Sequence, residues 1–332
     1  MSDLTPVDPM AVAVTAILNP FYNLPDKPQS ESLLFFFVQG KKQLGMDRWP
    51  LSLDRKKTLI YTDNGTPDGT IQAGSSLSAV VRRGVLTVYG LLASTDAQGR
   101  PTKIVSQVIP IQNPVIKGQM KTDLPGLAVA HNAASDLTYI FHTKKDASGV
   151  SLVQTILTGD KVTGNPINLN QSPAPLETSK LAALTYQSQR LVLYQAFKGG
   201  DSYPIYWNAG SDQTPIEIPG SGTAAPGTAL AITAGVVSGK LVLFCYFMGE
   251  DQSLNAAKGV MKDLNDIKSL KWTCNVVPGL EDDQDAPKLS TQSMLAVTTD
   301  EKHNHVFFIE DPASSTSDLK YRNFPDPLDR FE

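Results

Sequence analysis

The sequence predicts an all-β protein, a six-bladed β-propeller of four-stranded blades forming a single domain over residues 1–332. Two observations predict it. A short figure, an apolar residue followed by small ones and then a polar turn, occurs six times, and a second apolar run of β-formers follows each copy. These runs alternate with period two, whereas a helical solenoid of similar repeat length needs apolar residues spaced at about 3.6. About four strands every 50 or so residues, repeated radially, is the propeller signature. The 24 glycines and 23 prolines place turns at short intervals, as an all-β chain requires.

The blades start near residues 10, 77, 127, 181, 230 and 295, at Met10 (MAVAVTAI), Leu77 (LSAVV), Leu127 (LAVAH), Leu181 (LAALTY), Leu230 (LAITAG) and Leu295 (LAVTT). Each first strand lines a central channel, and the crowding where six strands converge suits the small residues Ala11, Ser78, Ala128, Ala182, Ala231 and Ala296. Second strands follow at Leu33 (LLFFFV), Val85 (VLTVYGLL), Leu137 (LTYIFH), Leu191 (LVLYQAF), Leu241 (LVLFCYF) and Val306 (VFFIE). TKIVSQVIPI, VSLVQTIL and YPIYWN read as third strands, PINL and PIEI as fourth strands, and SLKWTCNVV as the outer strand of blade five. Blade one carries the insertion NPFYNLPDKPQSES between its first two strands. Blade five carries MGEDQSLNAAKGVMKDLNDIKSLKW, the segment with room for a helical turn, and long insertions of this kind shape one face of a propeller. The tail LKYRNFPDPLDRF supplies an outer strand of the last blade, so that the termini close the ring.

A net charge of −4 and the lack of a basic stripe exclude a duplex nucleic-acid partner. Short clusters such as Lys41-Lys42, Arg55-Lys56-Lys57 and Lys144-Lys145 read as solvated loops. Two cysteines, Cys245 and Cys274, are too few for a disulfide scaffold and read as buried thiols. The N-terminus has Asp3 and Asp8 and no basic residue before its short apolar run, so no signal peptide and no membrane partner are expected and the location is cytoplasmic. Asn64 and Asn170 begin sequons of the kind that arise by chance.

With six repeats of this length, the chain resembles the fungal fucose-specific lectins, which are six-bladed propellers; Trp49 and Trp272 take places similar to the tryptophan before the last blade strand of that family. The resemblance implies a fucose site between blades, built from an Arg of the second strand, a Glu of the third and nearby aromatics. The second strands LTYIF, LVLYQ and LVLFC carry no Arg, and Gln107, Gln154 and Asn208 stand where the Glu would be. A sugar site without its charged clamp loses orientation and affinity. In length, blade number, acidic balance and apolar aromatic content the chain is similar to the hetero-Diels–Alderases of fungal tropolone-sesquiterpenoid pathways, which look like lectin-type propellers without the sugar motif. That resemblance implies a cofactor-free pericyclase joining a quinone-methide-like tropolone to a humulene-type terpene. A glycan-binding lectin and a non-catalytic scaffold stay open beside it.

Direct search for chemistry agrees with a cofactor-free reading. P-loop, G-x-G-x-x-G, HExxH and G-x-S-x-G motifs are missing from the sequence, and EDDQD at Glu281 reads as a solvated acidic loop. Of the four histidines, His303 and His305 in EKHNHV read as solvent-facing turn residues without ligand partners, so no metal is expected. A cycloaddition needs orientation and a hydrogen-bond donor for the developing oxygen charge. The loops after the second strands would gather Lys41, Lys42, His142, Lys144, Lys198, Asp201, Tyr203 and Trp207 on one face. His142, ending the strand TYIFH, would donate near neutral pH, with Lys144 and Lys198 as further catalytic donors; Trp49, Tyr203, Tyr206 and Trp207 would hold small apolar substrates. A homo-oligomer is left open.

Overall fold

The computed structural model of the chain describes residues 13–19, 32–38, 44–51, 58–62, 71, 76–95, 97–99, 101–109, 113–114, 120–159, 161–169, 172–187, 189–210, 213–261, 269–277, 287–291, 293–300, 302–310 and 321–329. These residues form six antiparallel sheets, the six expected blades. Blade one is β1 (Val14–Leu18), β2 (Ser32–Val38), β3 (Leu44–Pro50) and β4 (Thr58–Thr62). Blade two is β5 (Leu77–Arg82), β6 (Val85–Thr95) and β7 (Pro101–Ile109), its outer edge shared by β8 (Asn113–Pro114) and β9 (Lys121–Thr122). Blade three repeats that plan with β10 (Leu127–Asn132), β11 (Leu137–Asp146), β12 (Gly149–Thr158), β13 (Lys161–Val162) and β14 (Ile167–Asn168). Blade four is β15 (Ala182–Tyr186), β16 (Gln189–Gln195), β17 (Ile205–Asn208) and β18 (Ile216–Glu217). Blade five is β19 (Leu230–Val237), β20 (Lys240–Met248), β21 (Leu254–Val260) and β22 (Lys271–Val276). Blade six shows three strands among the described residues, β23 (Ala296–Thr299), β24 (His303–Ile309) and β25 (Tyr321–Pro327), the last drawn from the C-terminal tail as expected.

The innermost strands β1, β5, β10, β15, β19 and β23 lie side by side in that order, and β23 returns to β1 to close the ring. The core is correspondingly divided into six apolar layers, one at each blade-to-blade interface. Both faces of a second strand are therefore covered, which explains its unbroken apolar runs. In β2, Leu33 and Phe35 pack toward blade six while Leu34, Phe36 and Val38 pack toward blade two. Each such burial contributes about 1.5–3 kcal/mol.

Small residues of the first strands line a central channel of about 120 Å³: Thr15, Ser78, Ala128, Ala182, Ala231 and Ala296 take matching places. In blade one the matching apolar residue is thus Val14, not Met10, and the small one is Thr15, not Ala11. The stretch AVAVT alternates with period two, so a shift by four residues preserves its faces and cannot be resolved locally. Two of these hydroxyls stitch neighbouring blades: Ser78 Oγ donates to the Val129 carbonyl (3.2 Å), and Thr15 Oγ1 accepts the Ala79 N–H (3.2 Å).

A second repeat device sits two residues before the apolar residue that leads each figure, here Leu181, Leu230 and Leu295. Ser179, Thr228 and Ser293 accept the N–H of Gln195, Met248 and Ile309 at 2.9, 2.9 and 2.8 Å, completing the ladder where the first strand has not yet begun. Blade three has Pro125 at that place, and the Gly126 carbonyl accepts the Thr143 N–H instead (3.2 Å).

One strand assignment changes. LNAAKGV, read as part of the blade-five insertion, is β21, paired on both sides by β20 and β22. Its Asn, Ala, Lys and Gly are poor strand formers, and the two flanking ladders override that preference. The described helical turn is a 3₁₀ turn at Ser221–Thr223, in the loop between blades four and five, while residues 262–268 of the insertion lie outside the described residues. Trp49 lies on the third strand of its blade and Trp272 on the fourth of its own, so the two are not equivalent.

Candidate functional site

A cleft of about 370 Å³ lies between blades two and three, at the end of the barrel opposite the turns that join first to second strands. It is lined by Pro101 and Thr102 from the start of β7, Lys121 and Thr122 of β9, Asp123, and Lys144 and Lys145 near the end of β11. Thr122 ties its two walls together, its hydroxyl donating to the Thr143 carbonyl (2.6 Å) and accepting the Leu124 N–H (2.9 Å). Lysines concentrate here. Lys121 Nζ reaches the Thr95 carbonyl (2.9 Å), Lys103 Nζ the Asp123 carbonyl (3.3 Å), and Lys145 pairs with Glu177 (2.7 Å). Burial lowers the Lys103 amine, partly offset by the Asp123 charge. Burial, with Lys103 nearby, lowers Lys180 to about 8. An acidic chain thus sets Lys121, Lys144 and Lys145 at one cleft against Asp123 and Glu177, a local excess of cations that suits an anionic or electron-rich ligand.

Of the residues singled out from sequence, Lys144 is at this cleft and exposed. His142 is two residues away but buried (2% exposed), and it does not line the cleft. It pairs across from Leu127, in the row where other blades carry Phe37, Gly90 and Phe247. Its Nδ1 has no hydrogen-bond partner. Burial, with a smaller effect from Lys144, lowers its pKa to about 4, so the ring is uncharged at neutral pH. The expectation of an accessible donor near neutral pH is thus corrected: the imidazole fills a packing position.

Lys198, Tyr203 and Tyr206 come together at the rim of blade four. Lys198 is committed to an ion pair with Glu217 (2.7 Å), whose hydrogen bonds raise the lysine pKa, and Tyr206 OH donates to the same carboxylate (3.3 Å). Tyr203 packs against the exposed Phe197, ring centroids 5.6 Å apart. Trp207 is not with them. Neighbours on a strand point to opposite faces, so Tyr206 packs on Tyr194 toward blade three and Trp207 is buried in the layer with blade five. They do not form one aromatic wall. Trp49 packs edge-on against Phe35 and Phe307 between blades one and six, far along the ring from the cleft. Lys41, Lys42, Glu281, Asn64 and Asn170 lie outside the described residues. Cys245 is buried and Cys274 half-buried, and both are free thiols.

Two further corrections concern polar groups. A second strand does carry an arginine: Arg190, near the start of β16, donates from Nε to Gln154 Oε1 of β12 (2.5 Å) and lies 5.3 Å over the Tyr139 ring, between blades three and four. His305 is buried, not solvent-facing, and its Nε2 lies 3.0 Å from Asp300 Oδ2. Lys103, Lys121, Lys180 and Asp300 were not singled out from sequence. The lysines are divided between blade two and the lead-in to blade four and carry no local pattern; Asp300 was legible in the spacing Asp-x-x-His-x-His.

No protein-family model matches the chain. Two curated relatives, both named wall-associated proteinase, come from Coccidioides posadasii and Coccidioides immitis; they are 26% and 25% identical over 328 residues, covering 96% of each chain. Among solved structures, an Aleuria aurantia lectin matches at a TM-score of 0.59 with 14% identity over 96% of both chains. AofleA from Arthrobotrys oligospora matches at 0.59 with 10% identity, over 95% of this chain and 83% of that one. The BP39L lectin from Burkholderia pseudomallei matches at 0.56 with 17% identity, over 96% and 84%. The fold is that of the fungal fucose-lectin propellers. Among the described residues no helix is long and apolar enough to cross a membrane.

Proposed function

We propose that the protein holds a small acidic or electron-rich substrate in the lysine-rimmed cleft between blades two and three and acts there as a cofactor-free pericyclase, joining a quinone-methide-like tropolone heterodiene to a humulene-type alkene. The observation that carries this reading is the cleft itself. Its volume, about 370 Å³, falls within the usual small-molecule range, and its walls bring three lysines, Lys121, Lys144 and Lys145, to one place. In the cycloaddition three π bonds become two σ bonds and one π bond, and no proton leaves. Negative charge grows on the heterodiene oxygen in the transition state, where an ammonium group such as that of Lys144 lowers the barrier. Holding both reactants in one orientation lowers it further. Pro101 and the lysine stems offer the apolar surface for the alkene. Trp49, Tyr206 and Trp207 are packed in or beside blade interfaces and act on the scaffold in this reading. Incubating the protein with diene and alkene pairs, beside Lys144→Met and Lys121→Met variants, tests it. A faster or more stereoselective product with wild type and its loss in the variants is expected; identical rates and product ratios with and without protein overturn it.

Glycan binding is the second reading. It is supported by the lectin-type fold and by the cluster of Arg190, Gln154 and Tyr139 between blades three and four. Gln154 replaces the charged clamp by a neutral amide, so fucose affinity should be weak or lost. Micromolar fucose binding that disappears in Arg190→Ala would restore it. The relatives' name brings a peptidase into the same trial: casein hydrolysis by purified protein, blocked by a class-specific inhibitor, would displace both readings. A cytosolic site of action belongs to the pericyclase proposal, and a fluorescent fusion found at the cell wall would contradict it.

A further inference from the structure

We propose that the hairpin joining β23 to β24 in blade six is a divalent transition-metal site, a zinc-type centre of Asp300, His303 and His305. Ligand atoms of the three side chains lie within 4.8 Å of one another. Asp300 Oδ2 and His305 Nε2 are 3.0 Å apart, and opening the pair by a few tenths of an ångström gives the roughly 3.3–3.6 Å between two ligands of a tetrahedral ion at bond lengths of about 2.0–2.2 Å. His303 Nδ1 stands 3.9 Å from Asp300 Oδ1, so a small side-chain rotation brings it into the same sphere. Three side chains of this kind, with one position left to water, form a borderline-soft site suited to Zn²⁺.

The surroundings hold the ligands as a metal requires. Asp300 Oδ1 accepts the N–H groups of Lys302 (2.7 Å) and His303 (2.6 Å), which aims Oδ2 at His305. His305 is 2% exposed and His303 38%, so the centre has a fixed inner wall and one face open to solvent. The decisive group is Asn323. Its Nδ2 lies 3.3 Å from His305 Nδ1, while its buried Oδ1 has no partner. Amide oxygen and nitrogen are interchangeable by a flip. With Nε2 on a metal, His305 must carry its proton on Nδ1, and the flipped amide then accepts it through Oδ1. The flip exchanges the places of Oδ1 and Nδ2, and it supplies the outer hydrogen bond that metal-bound histidines almost always make. The site lies at the end of the blades opposite the lysine cleft, so it stands or falls independently of the proposed activity.

The test uses full-length protein freed of metal with a chelator and titrated with Zn²⁺ by calorimetry, with Co²⁺ as a spectroscopic probe. One Zn²⁺ per chain and the visible bands of tetrahedral Co²⁺ are expected. His303→Ala, an exposed ligand whose removal spares the core, should weaken Zn²⁺ binding at least about ten-fold, and Asn323→Ala about 10–100-fold. Circular dichroism checks that both variants remain folded. No Zn²⁺ uptake by wild type overturns the proposal, and is the outcome if a protonated His305 alone bridges Asp300 and Asn323. Undiminished uptake by folded His303→Ala overturns it equally.

Discussion

Replacing His142 with leucine should remove a large part of the protein's sensitivity to mild acid. The wild-type imidazole is buried and its pKa is lowered to about 4, mainly by burial, against about 6.5 in the unfolded chain. Between these values the unfolded state binds more protons than the folded one. The stability this site contributes is therefore complete above about pH 6.5 and is lost as pH falls toward about 4. At pH 4.5 the loss is about 2.5 kcal/mol, since the unfolded histidine is almost fully protonated while the folded one is still mostly neutral. Leucine is close to histidine in volume and suits a row that elsewhere holds Phe37 and Phe247. Urea denaturation at pH 7.0 and 4.5 measures the effect. Carboxylates respond equally in both proteins, so the difference between the two pH-dependent losses isolates His142. An equal loss in wild type and His142→Leu would show that the imidazole is hydrated or paired, and would refute the assignment of a packing role.

Other consequences follow from single contacts. Gln195 is fully buried, donates to the Tyr203 (2.6 Å) and Ala225 (3.0 Å) carbonyls and accepts the Gly227 N–H (2.7 Å); Gln195→Met keeps the volume, strands these groups and should cost about 2–5 kcal/mol in urea denaturation. Gly126→Ala puts a Cβ 2.9 Å from the Ser179 carbonyl and 2.7 Å from Thr143 Oγ1, and should lower stability by about 1–3 kcal/mol, read as a fall in Tm. Burial raises the Cys245 thiol well above its usual range and raises Cys274 to about 11, so alkylation at pH 8 should be slow in the native protein and fast in urea, as mass spectrometry would show.

Much of the architecture was legible because a propeller writes its repeat locally. The Leu-Ala or Leu-Ser figure, the second apolar run and the tail strand each reflect neighbours a few residues apart, and the structure places them in blades as read. Tyr206 and Trp207, expected together against the substrate, diverge because adjacent strand residues point to opposite faces. Where local preference and pairing disagreed, as in LNAAKGV, pairing won.

The sequence by itself determined the β period, the number of repeats and five of the six small residues that let the inner strands meet around a channel, because all three are properties of short stretches. Only the tertiary structure decided which polar groups meet. Lys103, Lys121, Lys144 and Lys180 come from four separate strands or their lead-ins, and blade packing alone gathers them. His142 and His305 look alike on the page, each beside a strand end, yet one fills an aromatic row without a partner and the other faces Asp300. Burial and the charge of the opposite wall set what a side chain can do, and both arise from neighbours brought in by closure of the ring.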